Sequence, residues 1–593
     1  MLLNGLEKIQ CSKILPLKEN YVEHNVIVCD TETIKGKPYT IQFYDGIKTT
    51  LKYVNERTIL DVYCDYVAER MEPNLSVWFF YCQFDLPIIH YMVKEYFTHD
   101  NHKMGLGEFD FSYITGKTWF GNHTYKGVQW YERDAFQYVF TGLEKVAKSL
   151  KLTVNKKPRP NYLGERAPIT ACEKEEFEAY AIADVLVLWE LVFWILSIHR
   201  NYDVGLSVSL ADLCGKVFRK KFVDTPILPT RQEVTLAALA SYHGGKSEMY
   251  VPKPSIVMGI SEYDITSAYP YAMSQIANFQ EYEIENYKPR SSPIKKDGVY
   301  CVSGQILCPY HPLYSIDFKR VTTLEHTWVT GYELESAFRH TCFEGIIHDG
   351  YVVNSHNGSQ SINPLAEYVW HFFTKKQDAT AQKNATERLT AKLALNSLYG
   401  KFLSKLIEEG EITEWWRGGI IFHPLIGTLI TGCVRGYVHD IEHVCKSLHT
   451  STDSFITRHT SLDTLFVGQN GLGGLVKEYE GDALIIRPKV YVIFDKLNPS
   501  CYHKFNVNES TYEVSCVYCQ AKVLKSATHG FFGSTQMLLN MWRGEQTNYM
   551  IKRMYRLKEA ARRKDPDLLP FVFSKQRRSL NVDWRALTIY KGE

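Results

Sequence analysis

Apolar positions follow two different periods along this chain. In the first quarter, the short runs Val26-Ile27-Val28-Cys29 and Ser76-Val77-Trp78-Phe79-Phe80 are bounded by polar residues, the pattern of buried strands. Helical stretches alternate with them, so an α/β domain is predicted. Glu173 to Trp194 keeps a helical pattern, and a mostly helical bridge follows to about Leu239. Tyr242-His243-Gly244-Gly245 interrupts it, the paired glycines marking a turn or a close backbone approach. From Gly259 the pattern runs strand, helix, a long variable stretch and a strong helix from Asn384 to Phe402. An amphipathic helix from Leu425 to Lys446 and a strand-rich segment to Phe494 complete it. The last hundred residues are mixed and more basic, and no internal repeat or low-complexity segment interrupts the chain.

Composition narrows this picture. A chain of 593 residues implies several cores, roughly three to five modules at ordinary domain size. With 45% hydrophobic and 23% charged residues it is globular rather than disordered. No uninterrupted apolar run approaches the ~18 residues of a membrane span. Met1 to Tyr21 lacks the basic start and apolar stretch of a secretory signal and carries acidic residues, so a cytosol-like location is expected. Because net charge is only +2, a nucleic-acid surface must be local. The clearest basic patch holds Lys552, Arg553, Arg556, Lys558, Arg562, Arg563, Lys564, Lys575, Arg577 and Arg578. The fourteen cysteines form no small disulfide framework, and most are expected to be reduced packing residues. Cys501, His503, Cys516 and Cys519 offer a Cys-x-His and a Cys-x-x-Cys, donor types that can hold zinc.

Two groups of residues carry candidate chemistry. Asp30 and Glu32 end an apolar strand, where the period of two puts both carboxylates on one face. A second apolar run, Phe79 to Phe84, ends in Asp85, and Tyr180 and Asp184 share a helix face at i, i+4. Four carboxylates and a phenol are the equipment of a two-metal phosphodiesterase, with Mg²⁺ ions ~4 Å apart and the Tyr hydroxyl orienting water. In the second group, Asp264 ends a strand that runs into Thr266-Ser267-Ala268-Tyr269-Pro270. A carboxylate there meets a triphosphate-bound metal, and backbone amides after the strand hold phosphate oxygens. Tyr269 is large enough to lie under a sugar and exclude a 2′-hydroxyl. Lys392, Asn396 and Tyr399 fall at i, i+4, i+7 of Ala391 to Phe402. That stripe suits a ligand better than a core: Lys392 for phosphate charge, Asn396 for positioning, Tyr399 for packing at a base pair. Gly400 beside them is expected to permit close approach.

In order and context, these motifs resemble family B DNA polymerases, and in particular the protein-primed group of phages, other viruses and linear plasmids. The resemblance runs from Asp30 to Tyr491. It implies a multidomain α/β protein, with a ribonuclease-H-like 3′–5′ exonuclease domain and a right-hand palm, fingers and thumb. Two departures accompany it. Tyr81 stands where the family's second exonuclease motif has an Asn that holds the single-stranded 3′ end. The expected Asp-Thr-Asp-Ser hairpin lacks its first Asp in both candidates, Ser451-Thr452-Asp453-Ser454 and Ser461-Leu462-Asp463-Thr464. Asp453 is preferred over Asp463 because its segment follows the helix ending at Lys446 and leaves the usual gap before Gly471 to Leu475 and Arg487 to Tyr491. By the same resemblance Lys151 is the auxiliary exonuclease lysine. Tyr242, Gly244 and Gly245 form the Tyr-x-Gly-Gly template loop, and Lys489 and Tyr491 hold the primer end.

The implied domains are an exonuclease at 1–200, a bridge and loop at 201–258, and palm at 259–272 and 425–494. A terminal-protein insertion with the start of the fingers takes 273–383, the fingers 384–402, a second, hairpin insertion 403–424, and the thumb with the basic region 495–593. The implied activity is template-directed DNA synthesis with proofreading and strand displacement, using two Mg²⁺ per site, with Mn²⁺ able to substitute. The implied partners are template and primer DNA, dNTPs, a terminal protein and a single-stranded DNA-binding protein. A monomer or a heterodimer with the terminal protein is expected, in the cytoplasm or replication compartment of an infected cell. The alternatives are a nucleic-acid-primed or primer-independent polymerase of the same fold and, motivated by Ser451 and Tyr81, a catalytically weak DNA-binding replication factor.

Overall fold

A computed structural model describes residues 8–70, 72–92, 103–106, 109–114, 118–125, 127–252, 254–289, 293–355, 363–406, 415–468, 470–498, 501, 505–507 and 513–528, with short strands at 551–554, 573–576 and 588–589. Most of the predicted basic patch lies outside the described residues, as does His503.

Near the N-terminus, an eight-stranded mixed sheet is built on the apolar runs read from the sequence. The strand Asn25–Ile34 lies parallel to Leu75–Phe79, which is in turn parallel to Val128–Asp134; antiparallel strands extend the sheet on both sides. Helix Ala171–Tyr202 packs on the Asn25–Ile34 and Lys37–Tyr44 strands. Its start is fixed by a capping box, Thr170 accepting from the Glu173 amide while the Glu173 carboxylate accepts from the Thr170 amide. By length and composition this helix is apolar enough to cross a membrane, a feature the count of uninterrupted apolar residues did not register, but 61% of its most apolar window is buried inside the protein. That burial is what a core helix needs.

A second eight-stranded sheet forms the palm. The strand Ser255–Ile265 is central, flanked antiparallel by Ser454–Thr457 and Leu475–Arg487; Val490–Phe494 and Val523–Thr528 follow on the far side. Behind it runs helix Pro424–Cys445, with a proline in its first turn, where no amide donor is needed. The long stretch between the two polymerase-like motifs is no loose loop. It builds a four-stranded sheet from Tyr282–Asn286, Phe343–Ser355, Gly298–Ile306 and Thr323–Thr330, with helix Gly331–Arg339 packed on Pro424–Cys445. Cys308 and Cys342 form a disulfide in this unit. This pair is an exception within the expectation that most of the cysteines are reduced packing residues.

Helices Pro364–Ala381 and Ala385–Ser397 stand together over the palm, and Tyr399–Leu403 continues as a tighter 3₁₀ turn. Of the predicted second insertion, Lys405–Leu406 pairs antiparallel with Trp415–Gly418; residues 407–414 lie outside the described residues. Lys8–Gln10 adds in parallel to Trp415–Gly418, a pairing across some four hundred residues that no local pattern announces. One continuous apolar core joins the exonuclease-like helices to the palm, from Ile14 and Trp78 through Leu188 and Phe218 to Leu425 and Phe455.

Candidate active sites

The first carboxylate cluster assembles as the strand and helix periods require. Carboxylate oxygens of Asp30, Glu32 and Asp184 lie within 4.8 Å of one another, two supplied by one strand face and one by the helix Ala171–Tyr202. Asp85 is not at a strand end as predicted; it sits one turn into the helix Cys82–Ile89. It is turned back toward the strand by Thr31, whose amide and hydroxyl donate to Oδ1 at 3.1 and 2.7 Å. Burial, then repulsion from neighbouring carboxylates, pushes Glu32 up to about 7 and Asp30 well above the carboxylate range; burial raises Asp184 against the opposing pull of Lys156. Asp85 rises to about 8, chiefly through burial. Such a set is electrostatically incomplete without cations, and hard oxygen donors at this spacing suit Mg²⁺ or Mn²⁺. Tyr180 hydrogen bonds to Glu32 and Asp184, as expected of a phenol aimed into the cluster.

Two expectations change here. Lys151 ends the short helix Leu143–Leu150 in a left-handed conformation, with its side chain exposed. The lysine at the cluster is Lys156, whose Nζ lies 2.5 Å from Asp184 Oδ2 and 5.4 Å from the centre of the Tyr180 ring. The helix terminates before the chain reaches the site, so the cation is delivered five residues later. Arg159 also lowers the Glu32 pKa. Tyr81 adopts a positive φ of 117° before helix Cys82–Ile89 and meets Phe136 edge-on at 5.2 Å. An aromatic wall stands where an amide was expected.

The second site lies where the strand Ser255–Ile265 meets the hairpin of His449–Ser451 and Ser454–Thr457. Asp264 pairs in register with Ser454, and the Ile265 amide donates to the Asp453 carbonyl at 2.9 Å. Ser451 and Ser454 close the two-residue turn, whose Thr452 takes the positive φ of 63° that such turns demand. Ser451 therefore occupies the closing pair while Asp453 stands at the tip. Asp463 is exposed on the short helix Leu462–Leu465 and is not part of this turn. Burial and then Asp453 raise the Asp264 pKa to about 7, and burial raises that of Asp453. Two half-buried carboxylates held side by side again match a divalent cation's donor set.

Around this pair the structure adds residues that motif reading missed. Lys525 from the strand Val523–Thr528 bridges Glu262 at 2.9 Å and Glu478 at 3.2 Å. Tyr491 donates to the same Glu262 at 2.6 Å, so it anchors the palm floor directly. Lys489 lies in the left-handed turn before that strand, its amide donating to His449. Opposite, Lys376 of the helix Pro364–Ala381 reaches Ser267 Oγ at 3.4 Å. Its pKa is lowered by burial and by Lys392 and Arg388, and raised in part by Asp264. Lys392 and Asn396 are exposed on one helix face, as their spacing predicts. Ser267 sits at a left-handed N-cap, so the amides of Ala268 and Tyr269 open the helix Ala268–Gln275, where no intrahelical acceptor exists.

Tyr269 stacks on Tyr399 at 4.2 Å and 12°, joining the two motifs as one aromatic step. The Tyr-x-Gly-Gly loop closes beside it. A Cβ at Gly245 would lie 2.5 Å from Thr452 Cγ2 and 2.9 Å from the Tyr269 hydroxyl, so glycine is needed there. Gly244 and Gly400 face open space, so crowding within the protein requires glycine at neither. Tyr242 is partly exposed beside this loop. Fully buried Arg435 holds the loop, donating to the His243 carbonyl, to the Gly244 carbonyl at 3.1 Å and to Glu333 at 2.7 Å. In the sequence, the signal for it is a lone arginine in the middle of the amphipathic stretch Leu425 to Lys446.

Comparison with known proteins agrees with this layout. The family described as DNA polymerase type B, organellar and viral, matches residues 144–413. A probable DNA polymerase of Agaricus bitorquis is 26% identical over 256 residues, covering 39% of this chain and 30% of that protein. The DNA-directed DNA polymerase of Enterobacteria phage PRD1 is 24% identical over 358 residues, covering 54% and 60%. The chain thus spans less than two thirds of the length of either relative. Among solved structures, Phi29 DNA polymerase complexed with primer-template DNA superposes with a TM-score of 0.65 at 17% identity, covering 91% of this chain and 98% of that one. The same enzyme complexed with single-stranded DNA gives 0.63 at 16% identity, covering 90% and 96%. The fold is accordingly the multidomain α/β fold of that polymerase, with exonuclease, palm, fingers and thumb, and in sequence the chain is similar to the organellar and viral type B DNA polymerases over residues 144–413.

Proposed function

We propose that this chain is a replicative DNA-dependent DNA polymerase with a 3′–5′ exonuclease on the same polypeptide, which starts from a protein primer and displaces the strand ahead of it. The observation that carries the synthetic activity is the juxtaposition of Asp264 and Asp453 where the strand meets the hairpin, with Lys376, itself neighboured by Lys392 and Arg388, close enough to act on Asp264. Negative donors on the floor and cations on the roof define a slot for a triphosphate. In this slot Lys376, Lys392 and the amides of Ala268 and Tyr269 hold phosphate oxygens, and Asn396 orients the nucleotide. Tyr269, braced by Tyr399, rejects a 2′-hydroxyl, while Lys489 and the Tyr491–Glu262–Lys525 group position the primer strand. At the first site Asp30, Glu32, Asp85 and Asp184 hold cations, Tyr180 orients the water, and Lys156 neutralises phosphate charge. Two divalent ions at each site, Mg²⁺ with Mn²⁺ as substitute, supply the lowered pKa of the attacking hydroxyl or water and the stabilisation of the leaving oxygen.

The segment 273–383 is the proposed seat of the terminal protein, and the hairpin around 403–424 that of strand displacement. The proposed domain limits are those given above, with the thumb at 495–593. The partners are template and primer DNA, dNTPs, a terminal protein and a single-stranded DNA-binding protein. The protein acts as a monomer or as a heterodimer with the terminal protein, in the cytoplasm or replication compartment of the infected host. Extension of a labelled primer by wild type, Asp453→Ala and Asp30→Ala tests the core of this reading. Synthesis lost only in the first variant and degradation lost only in the second is expected. Inactivity of wild type with both Mg²⁺ and Mn²⁺ would leave a DNA-binding replication factor instead. Protein priming is tested separately, with terminal protein, labelled dATP and origin DNA; no covalent protein–nucleotide product with any of the four nucleotides would exclude it.

A further inference from the structure

The strand Val523–Thr528, which carries Lys525 to Glu262, is the last strand of the second eight-stranded sheet, and a turn where three cysteines meet leads into it. Cys516 ends the strand Val514–Cys516, and the chain reverses through Val517, Tyr518, Cys519 and Gln520 before Val523–Thr528. The reversal is tight: the Gln520 amide donates to the Cys516 carbonyl at 3.0 Å, and the Cys516 amide to the Ala521 carbonyl at 2.8 Å. Gln520 takes a positive φ of 60°, which costs energy for a residue with a side chain. Cys501, fifteen residues before Cys516, completes the group: the sulfurs of Cys501, Cys516 and Cys519 all lie within 4.8 Å of one another. The Cys501 and Cys516 sulfurs are 3.9 Å apart.

Three thiols brought to one point differ from cysteines used as packing residues, which have no reason to converge. A Zn–S bond of about 2.3 Å gives a tetrahedral edge of about 3.8 Å, close to the observed separation. The Cys-x-x-Cys turn also places its two sulfurs on the same side of the hairpin. We propose that Cys501, Cys516 and Cys519 bind a structural Zn²⁺, with the fourth coordination position not assigned to a residue. The ion closes the turn that leads into Val523–Thr528, and with it steadies Lys525, the palm cation bonded to Glu262 and Glu478. Asp495 braces the same turn from the sheet, donating to the Lys522 carbonyl at 3.0 Å and accepting from its amide at 2.7 Å.

The test uses the full chain expressed with added zinc, washed free of loosely held ions, and measured for metal by mass spectrometry. Wild type and Cys172→Ser, which changes an exposed cysteine elsewhere, are expected to retain one zinc per chain. Cys501→Ser, Cys516→Ser and Cys519→Ser are expected to lose it. Cobalt added to stripped wild type should give a thiolate-to-cobalt charge-transfer band, which carboxylate sites cannot produce. Zinc and the cobalt band persisting in Cys516→Ser and Cys519→Ser would overturn the proposal. If the variants fail to fold, the wild-type cobalt titration decides alone: a band saturating at one equivalent supports the site, and no band refutes it.

Discussion

The exonuclease-like cluster and the palm pair solve opposite electrostatic problems with the same side chain. At the first, three carboxylates are packed within 4.8 Å and one lysine, Lys156, stands at the rim. At the second, Asp264 and Asp453 are balanced by cations from several elements, with Lys376, Arg388 and Lys392 above and Lys525 beside the floor. Concentrated negative charge holds cations and leaves room for one phosphodiester. Separated walls of opposite sign hold a cation and a polyanion together. Burial is the largest cause of the raised carboxylate pKa values at both sites; neighbouring carboxylates add to it at Asp30 and Glu32, and Asp453 adds to it at Asp264, where Lys525 partly compensates.

The sharpest way to break this comparison is to remove one member of each site. Asp264→Ala or Asp453→Ala should lower primer extension on the order of 10³-fold and spare 3′–5′ degradation of a labelled single strand, with Asp30→Ala doing the reverse. Asp463→Ala should leave both unchanged, and a loss of synthesis there would reassign the palm metal ligand. Next in size is the roof of the nucleotide slot. Lys376→Ala should lower kcat/KM for dNTP by about 10²-fold, whereas Lys375→Ala, which loses a bond to Tyr202 outside the slot, should change it little.

A smaller effect separates the two lysines of the exonuclease-like domain. Lys156→Ala should slow degradation about 10-fold through weaker charge neutralisation, and Lys151→Ala should not. Equal losses would show that the Asp184 contact is not what matters. The smallest expected change is steric. Gly245→Ala forces Thr452 and the Tyr269 hydroxyl aside at a cost of about 1–3 kcal/mol, read as a lower thermal midpoint together with poorer primer extension. The same substitution at Gly244, which faces open space, should be neutral by both measures.

Much of this could be read along the chain because the signals were local. Asp30 and Glu32 share a face by strand period, Tyr180 and Asp184 by helix period, and the stripe Lys392, Asn396, Tyr399 by about two turns of helix. The long stretch after Met273 was read as an insertion, but its four-stranded sheet depends on pairing between residues as far apart as Tyr282 and Ser355, so its architecture stayed hidden. The lysine error has a similar origin. Lys151 and Lys156 are five residues apart in a polar segment, and only the point at which helix Leu143–Leu150 stops decides which of them reaches Asp184.

By itself, the sequence determined the two carboxylate sets, the aromatic and cationic stripe over the palm, the preference for Asp453 and the kinship of the whole. Tertiary structure alone decided that Lys156, Lys376, Lys525 and Arg435 belong to these sites, that Thr31 orients Asp85, and that three cysteines meet at the palm edge. The physical reason is common to all of them. A side chain's identity and its face follow from a period of two or 3.6, whereas a cation's partner is set by where separately folded elements are packed against each other.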